Sequence, residues 1–157
     1  MRAVGIDLAG KSENDTGFCL LSDAGTETKL LHTDTEILAA IEAAKPDVVA
    51  IDAPFWMPKG NWRPSEELLM RRGFRPLSPS FPSMRMLSMR AMNIVRVLRG
   101  RGHVVIEVFP RATEEILGIS KEPRKNQDEY DALLAALTGK AFKEGKYLDF
   151  AGVIIPK

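Results

Sequence analysis

Cysteine is nearly absent: Cys19 is the only one in 157 residues. It can form no internal disulfide. Its place in the apolar run Phe18-Cys19-Leu20-Leu21 reads as a buried thiol, and a reducing, cytoplasmic setting is expected. Histidine is almost as scarce. His32 and His103 have no Cys or His at ligand spacing, which argues against a zinc centre. No run approaches the roughly 18 apolar residues of a membrane span, so no membrane partner is expected, and a first strand starting at Arg2 leaves no room for a signal peptide. Composition is that of an ordinary globular protein, 45% hydrophobic and 27% charged. The length suits a single domain over 1–157 with a sizeable core.

An excess of one charge is also missing, since the formal net charge is +1. The total conceals a strong asymmetry. Residues 1–58 carry 4 Lys/Arg against 10 Asp/Glu, residues 59–101 carry 10 against 2, and residues 102–157 carry 8 against 9. A basic middle third suggests an anionic partner; the plainer account is a solvated helix face and loop.

Two short apolar runs end alike, Ala3-Val4-Gly5-Ile6-Asp7 and Val48-Val49-Ala50-Ile51-Asp52. Each reads as a buried strand with a carboxylate where the strand gives way to a turn. Parallel neighbours lie roughly 4.8 Å apart, so pairing these strands would bring both acids to one edge. Carboxylates about 4 Å apart repel by ~4 kcal/mol at an effective dielectric of ~20, which calls for a cation or a shared proton. Asp128 and Asp131 lie one turn apart on a predicted helix over 127–143, on a face that Leu133, Leu134 and Leu137 would dock. Together the four acids make a plausible divalent-metal site. Each also has a plainer reading, as a turn cap or a surface charge.

Strands are further expected at 18–21, at 29–32 and, after Gly102, at 103–109. The first three would form an antiparallel meander. Thr33 or Asp34 caps a helix to Ala44, and a helix over 83–99 buries Met84, Leu87, Ala91, Ile94, Val95 and Leu98. Its other methionines read as core filler. A short helix is expected over 113–117, and 153–155 as a short edge strand. The order gives a mixed α/β sheet with helices on both faces.

Residues 53–82 break the pattern. They hold 6 of the 10 prolines and five large aromatic residues, with one short helix capped by Ser65 and stopped by Gly73. So long an aromatic insertion in a compact domain is usually functional or disordered, and with this many large rings a folded lid is expected.

Gly5-Ile6-Asp7-Leu8-Ala9-Gly10-Lys11-Ser12 has the letters of a phosphate loop. That motif needs a helix opening at the lysine, and here a turn leads to another strand. Lys11 keeps only the prospect of a phosphate contact from the turn.

Gly-Ile-Asp-Leu-Ala-Gly at 5–10, Ala-Ile-Asp-Ala-Pro at 50–54, Glu107-Val-Phe-Pro110 and Asp128-Glu-Tyr-Asp131-Ala-Leu-Leu-Ala-Ala together resemble one family. It is the group of predicted nucleases with a ribonuclease H-like fold known as domain of unknown function 429. The likeness spans roughly residues 2–156. It implies a five-stranded mixed sheet, strands 1–3 antiparallel and strands 1, 4 and 5 parallel, with the first and fourth as neighbours. It also implies kinship with Holliday-junction resolvases and ribonucleases H, whose acids hold two divalent ions. Asp52 stands where resolvase-type enzymes usually carry a glutamate, one methylene longer.

From that likeness the expected activity is metal-dependent hydrolysis of phosphodiester bonds in DNA or RNA, with two Mg²⁺ or Mn²⁺ ions. Asp7 would bridge them, Asp52 and Asp131 would be outer ligands, and Asp128 or Glu107 a further ligand or a group positioning water. Glu107, in an otherwise apolar strand, either joins these acids or pairs with an arginine such as Arg111. Lys11, Arg63, Arg71, Arg72, Arg75, Arg85, Arg96 and Arg99 would follow the phosphate backbone, and Trp56, Trp62 or Phe74 would stack on bases. Two alternatives stand beside this: a nucleic-acid-binding domain that does not cut, and a phosphohydrolase or phosphotransferase acting on a nucleotide or small molecule. Oligomeric state, a homodimer included, stays open at this level.

Overall fold

A computed structural model describes residues 1–157. Ala3–Asp7 (β1), Thr16–Ser22 (β2) and Gly25–Leu31 (β3) form the expected antiparallel meander. Asp34–Ala44 (α1) follows, with the Thr33 hydroxyl accepting from Glu36 N at 3.1 Å as its cap. Val48–Asp52 (β4) then runs parallel to β1. After the insertion, which contains Pro64–Arg71 (α2), come Pro82–Gly100 (α3), Val105–Val108 (β5), Pro110–Leu117 (α4) and Gln127–Lys143 (α5). Tyr147–Phe150 (β6) and Val153–Pro156 (β7) close the chain as a hairpin.

The sheet has seven strands, ordered β3-β2-β1-β4-β5-β7-β6, rather than the expected five. The difference lies at the C-terminal hairpin. Val153-Ile154-Ile155 is not an edge: it pairs parallel with β5 on one side and antiparallel with β6 on the other. It is buried throughout, whereas β6, which takes the edge, is partly exposed.

Side-chain alternation divides the sheet between two layers. Val4, Ile6, Val49, Ile51 and Val105 meet Ile37 and Ile41 of α1 and Ile94, Val95 and Leu98 of α3. Ala3, Val48, Ala50, Ile106 and Val108 face the other way, with Ala135 of α5. The face α5 presents is not the expected leucine row: Ala132, Leu134, Ala135, Ala136 and Gly139 are buried, and Leu133 and Leu137 only half so. Small residues let its backbone approach the sheet closely. A Cβ at Gly5 would sit 2.0 Å from the Ala132 carbonyl oxygen, and one at Gly17 would sit 2.0 Å from that of Asp128.

Helix starts differ from expectation where proline takes the first helical position. Pro64, Pro82 and Pro110 each open a helix earlier than the nearest Ser or Thr would. Ser65 therefore lies inside α2, donating to Glu66 Oε2 at 2.7 Å instead of capping. The methionines of α3 are not core filler either: Met86, Met89 and Met92 are exposed, and only Met84 is half-buried. Residues 11–14 form a turn before β2, so the phosphate-loop letters carry no phosphate-loop structure.

Candidate functional site

Asp7 and Asp52 are the last residues of β1 and β4 and are partners in the parallel register. By strand parity both follow Ala3, Gly5, Val48 and Ala50, so both carboxylates project to the face that α5 covers. The first turn of α5 sits over that edge. Asn126 Oδ1 accepts from the backbone of Asp128 at 2.8 Å and Glu129 at 3.2 Å, and Thr28 donates to Glu129 at 2.9 Å. Asp128, carried on the turn that rests against Gly17, comes within hydrogen-bonding reach of Asp7. Asp131, one turn on, adds its charge at both Asp7 and Asp52.

The electrostatics are those of a crowded acid edge. Burial, then the Asp52 charge, the hydrogen bond with Asp128 and the charges of Asp131 and Asp128 push the Asp7 carboxyl up to about 9. Asp52 is pushed up to about 7 by burial, Asp131 and Glu107, against the opposing charge of Arg111. Asp131 is raised by burial, while hydrogen bonding from Gln127 and the Arg111 charge work the other way. Arg111 occupies a place the sequence reading gave it only as a partner for Glu107. Its guanidinium donates to Asp131 Oδ1 and, at 3.1 Å, to Glu114 Oε1. Tyr130 completes this fringe by donating to Glu114 Oε2 at 2.6 Å.

Glu107 does not face the acids. Its register partner is Ile51, so parity turns it to the α1–α3 face. There its two oxygens accept from the Arg63 guanidinium at 2.9 and 2.6 Å, and Oε1 also accepts from Phe55 N at 2.9 Å. Arg63 is in turn held by Glu66, and it is only 3% exposed. The alternative of an arginine partner thus holds, with Arg63 in place of Arg111. Arg63, expected on nucleic acid, is spent inside the protein as a fork on carboxylates.

The remaining expected phosphate contacts are scattered. Lys11, Arg71, Arg72, Arg75, Arg85 and Arg96 are exposed. Arg99 donates to the Val105 carbonyl at 3.0 Å and lies over Phe55, and Arg72 lies over Phe150. Trp56 and Trp62 are 44% and 40% exposed, open enough to stack on a ligand. Arg90 was missed altogether. It is buried, bonding Asp34, the Ala9 carbonyl and the His32 carbonyl at 2.8, 2.7 and 2.5 Å, and so ties the turn after β1 to α1 and α3. Its helical phase, three residues after Leu87 and four before Ile94, was the signal that could have placed it inside.

Would these acids suit a divalent ion? Their donors are hard carboxylate oxygens of the kind Mg²⁺ and Mn²⁺ take. Asp7 and Asp128 share no cationic partner in the structure, and burial, then neighbouring carboxylate charge, raises both Asp7 and Asp52. As the side chains stand, no three His, Cys, Asp or Glu groups close on one point, and Asp131 meets the Arg111 guanidinium. The chemistry fits, with Asp7, Asp52 and Asp128 as the donors outside any ion pair, whereas Asp131 is held by Arg111.

The mixed α/β sheet, with β1 flanked by antiparallel β2 and parallel β4, is a ribonuclease H-like fold. Two solved structures share the fold. One is Thermus thermophilus RuvC in complex with a Holliday junction substrate (TM-score 0.56, 17% identity, 92% of this chain and 97% of that one). The other is a further T. thermophilus RuvC structure (TM-score 0.51, 17% identity, the same coverage). The chain belongs to the family described as protein of unknown function (DUF429), whose model matches residues 5–117. That match takes in Asp7, Asp52 and Glu107 and ends before the acids of α5. No curated protein matches the chain in sequence.

Proposed function

We propose that this protein is a metal-dependent nuclease whose acid edge, Asp7, Asp52, Asp128 and Asp131, hydrolyses phosphodiester bonds. The observation that carries the reading is the direct opposition of Asp7 and Asp52 in parallel register, with α5 delivering two further carboxylates to the same face. Crowded, half-buried carboxylates whose proton affinity is raised by burial and then by one another are the kind of perturbed group that marks a functional site, and a cation would relieve their repulsion. Divalent ions bound there would supply Lewis acidity toward a phosphoryl oxygen and lower the proton affinity of an attacking water. Asp7, Asp52 and Asp128 would hold the ions, and Arg111, which pairs with Asp131 beside them, would offer its charge to the phosphate. Exposed Arg75, Arg85 and Arg96 follow the backbone of the nucleic acid, consistent with the neighbour whose structure contains a Holliday junction.

A second reading rests on one observation. Arg111 already neutralises Asp131, which suits a fold that binds nucleic acid without cutting it. A panel of labelled single-stranded, duplex and branched DNA and RNA, incubated with Mg²⁺ or Mn²⁺, separates the two. Wild type should cut at least one member, and Asp7→Asn should reduce cleavage at least ~100-fold while retaining binding. Binding without cleavage by wild type under either ion would favour the second reading.

A further inference from the structure

Beside the acid edge opens a cavity of about 340 Å³. Asp7 and Asp52 stand at one end, with Arg75 and Arg111 also on its lining. Apart from the mutually paired Arg63, Glu66 and Glu107, the rest of the lining is apolar. Nine of its nineteen lining residues are hydrophobic, Met84 and Leu87 of α3 among them, and Pro54, Pro76 and Pro79 of the insertion extend the same apolar wall. Arg63 and Arg111 are each engaged with carboxylates, whereas exposed Arg75 forms none of the ion pairs.

The walls are fixed rather than floppy. The insertion, which supplies the prolines, is fastened to β5 by the buried Arg63–Glu107 fork and to itself by Ser78, which donates to the Asn61 carbonyl at 2.6 Å. The volume is at the low end of small-molecule pockets, roughly 300–1,000 Å³. A stacked duplex cannot enter it. One nucleotide can, provided that its base has left the stack, and apolar side chains are the surroundings extruded bases take.

We propose that this cavity receives the base and sugar of a single unstacked nucleotide and so sets its phosphate against the acid edge. The inference rests on the phosphodiesterase reading and narrows its substrate to nucleotides free of stacking. Two sources share that chemistry: a free nucleoside monophosphate, and a nucleotide at a strand end or loop.

Binding to the metal-free protein tests this without any need for turnover. The probes are the four nucleoside 5′-monophosphates, ribose 5-phosphate as the same anion without a base, and one labelled oligonucleotide offered single-stranded or as a blunt duplex. The variants are Met84→Trp, which fills the cavity from a half-buried position, and Leu87→Phe should the first fail to fold by circular dichroism. At least one monophosphate should bind about tenfold or more tightly than ribose 5-phosphate, or the single strand about tenfold or more tightly than the duplex, and the filled variant should lose that preference. Monophosphate binding points to a free nucleotide as the source, and preference for the single strand alone points to a polymer. Equal binding with and without a base together with no strand preference, binding by none of the probes, or a filled variant that behaves as wild type would each overturn the proposal. Cleavage that survives in the filled variant sinks the cavity while sparing the nuclease. Base-dependent binding by a wild type that cuts nothing does the reverse.

Discussion

Gly17 lies so close to Asp128 that a Cβ on it would stand 2.0 Å from the Asp128 carbonyl oxygen. This contact between β2 and the first turn of α5 decides where the helix acids sit. Backbone cannot yield as a flexible side chain does, so Gly17→Ala must push the start of α5 off the sheet. Overpacking of this kind typically costs about 1–3 kcal/mol. Gly17→Ala should therefore lower the melting temperature by about 3–10 °C. It should also weaken the Asp7–Asp128 contact, seen as a fall in the Asp7 pKa by carboxyl-resolved NMR. An unshifted melting curve would show that α5 is not seated by this contact.

The acid edge has a pH signature. Unfolded, Asp7 ionises near its ordinary value of 3.8, whereas folded it keeps its proton to about 9. Between those values the folded state binds the extra proton, so its stability is greatest at the acidic end and declines as pH rises. Asp52 contributes in the same direction up to about 7. Metal-free wild type should thus melt progressively lower from pH 5 to pH 9. Asp7→Asn, which removes the larger contribution, should flatten that slope and melt higher than wild type at pH 8. A wild-type slope of opposite sign would mean that the acids are already compensated.

Glu107 separates structural from catalytic carboxylates. As the partner of a buried arginine it acts as a staple between β5 and the insertion. Breaking a buried pair by removing one member costs about 3–5 kcal/mol. Glu107→Ala should show that loss in a denaturant melt, with the insertion becoming sensitive to proteolysis. Full stability together with lost cleavage would instead place Glu107 among the catalytic acids.

Much of this was legible in the sequence. The two strands ending in aspartate, the meander, and the span of α5 followed from alternation and 3.6-residue periodicity. Parity sets the side of the sheet for each carboxylate, Asp7 with Ala3 and Gly5 and Glu107 with Val105, yet the expectation for Glu107 stayed open between the acids and an arginine. The partners were not legible. Arg63 reaches Glu107 across 44 residues and Arg111 reaches Asp131 across 20, and local pattern carries no record of which arginine folds back. The alanine and glycine face of α5 was obscured by leucines that outrank it in hydrophobicity but stand at its margins. The hairpin of β6 and β7 escaped because β6, Tyr147–Phe150, is short and half-exposed, with Asp149 in its middle.

Calorimetric titration of Mn²⁺ at pH 7 into wild type and the Asp7→Asn/Asp52→Asn double variant bears most directly on the acid edge. Wild type should bind Mn²⁺ saturably and release protons as it does so, because Asp7 surrenders a proton it otherwise holds to about 9; the measured heat should therefore vary with the ionisation enthalpy of the buffer. The double variant should show neither the binding nor the proton release. Equal binding by the double variant, or none by wild type at millimolar Mn²⁺, would contradict the assignment of this edge as the metal-dependent centre.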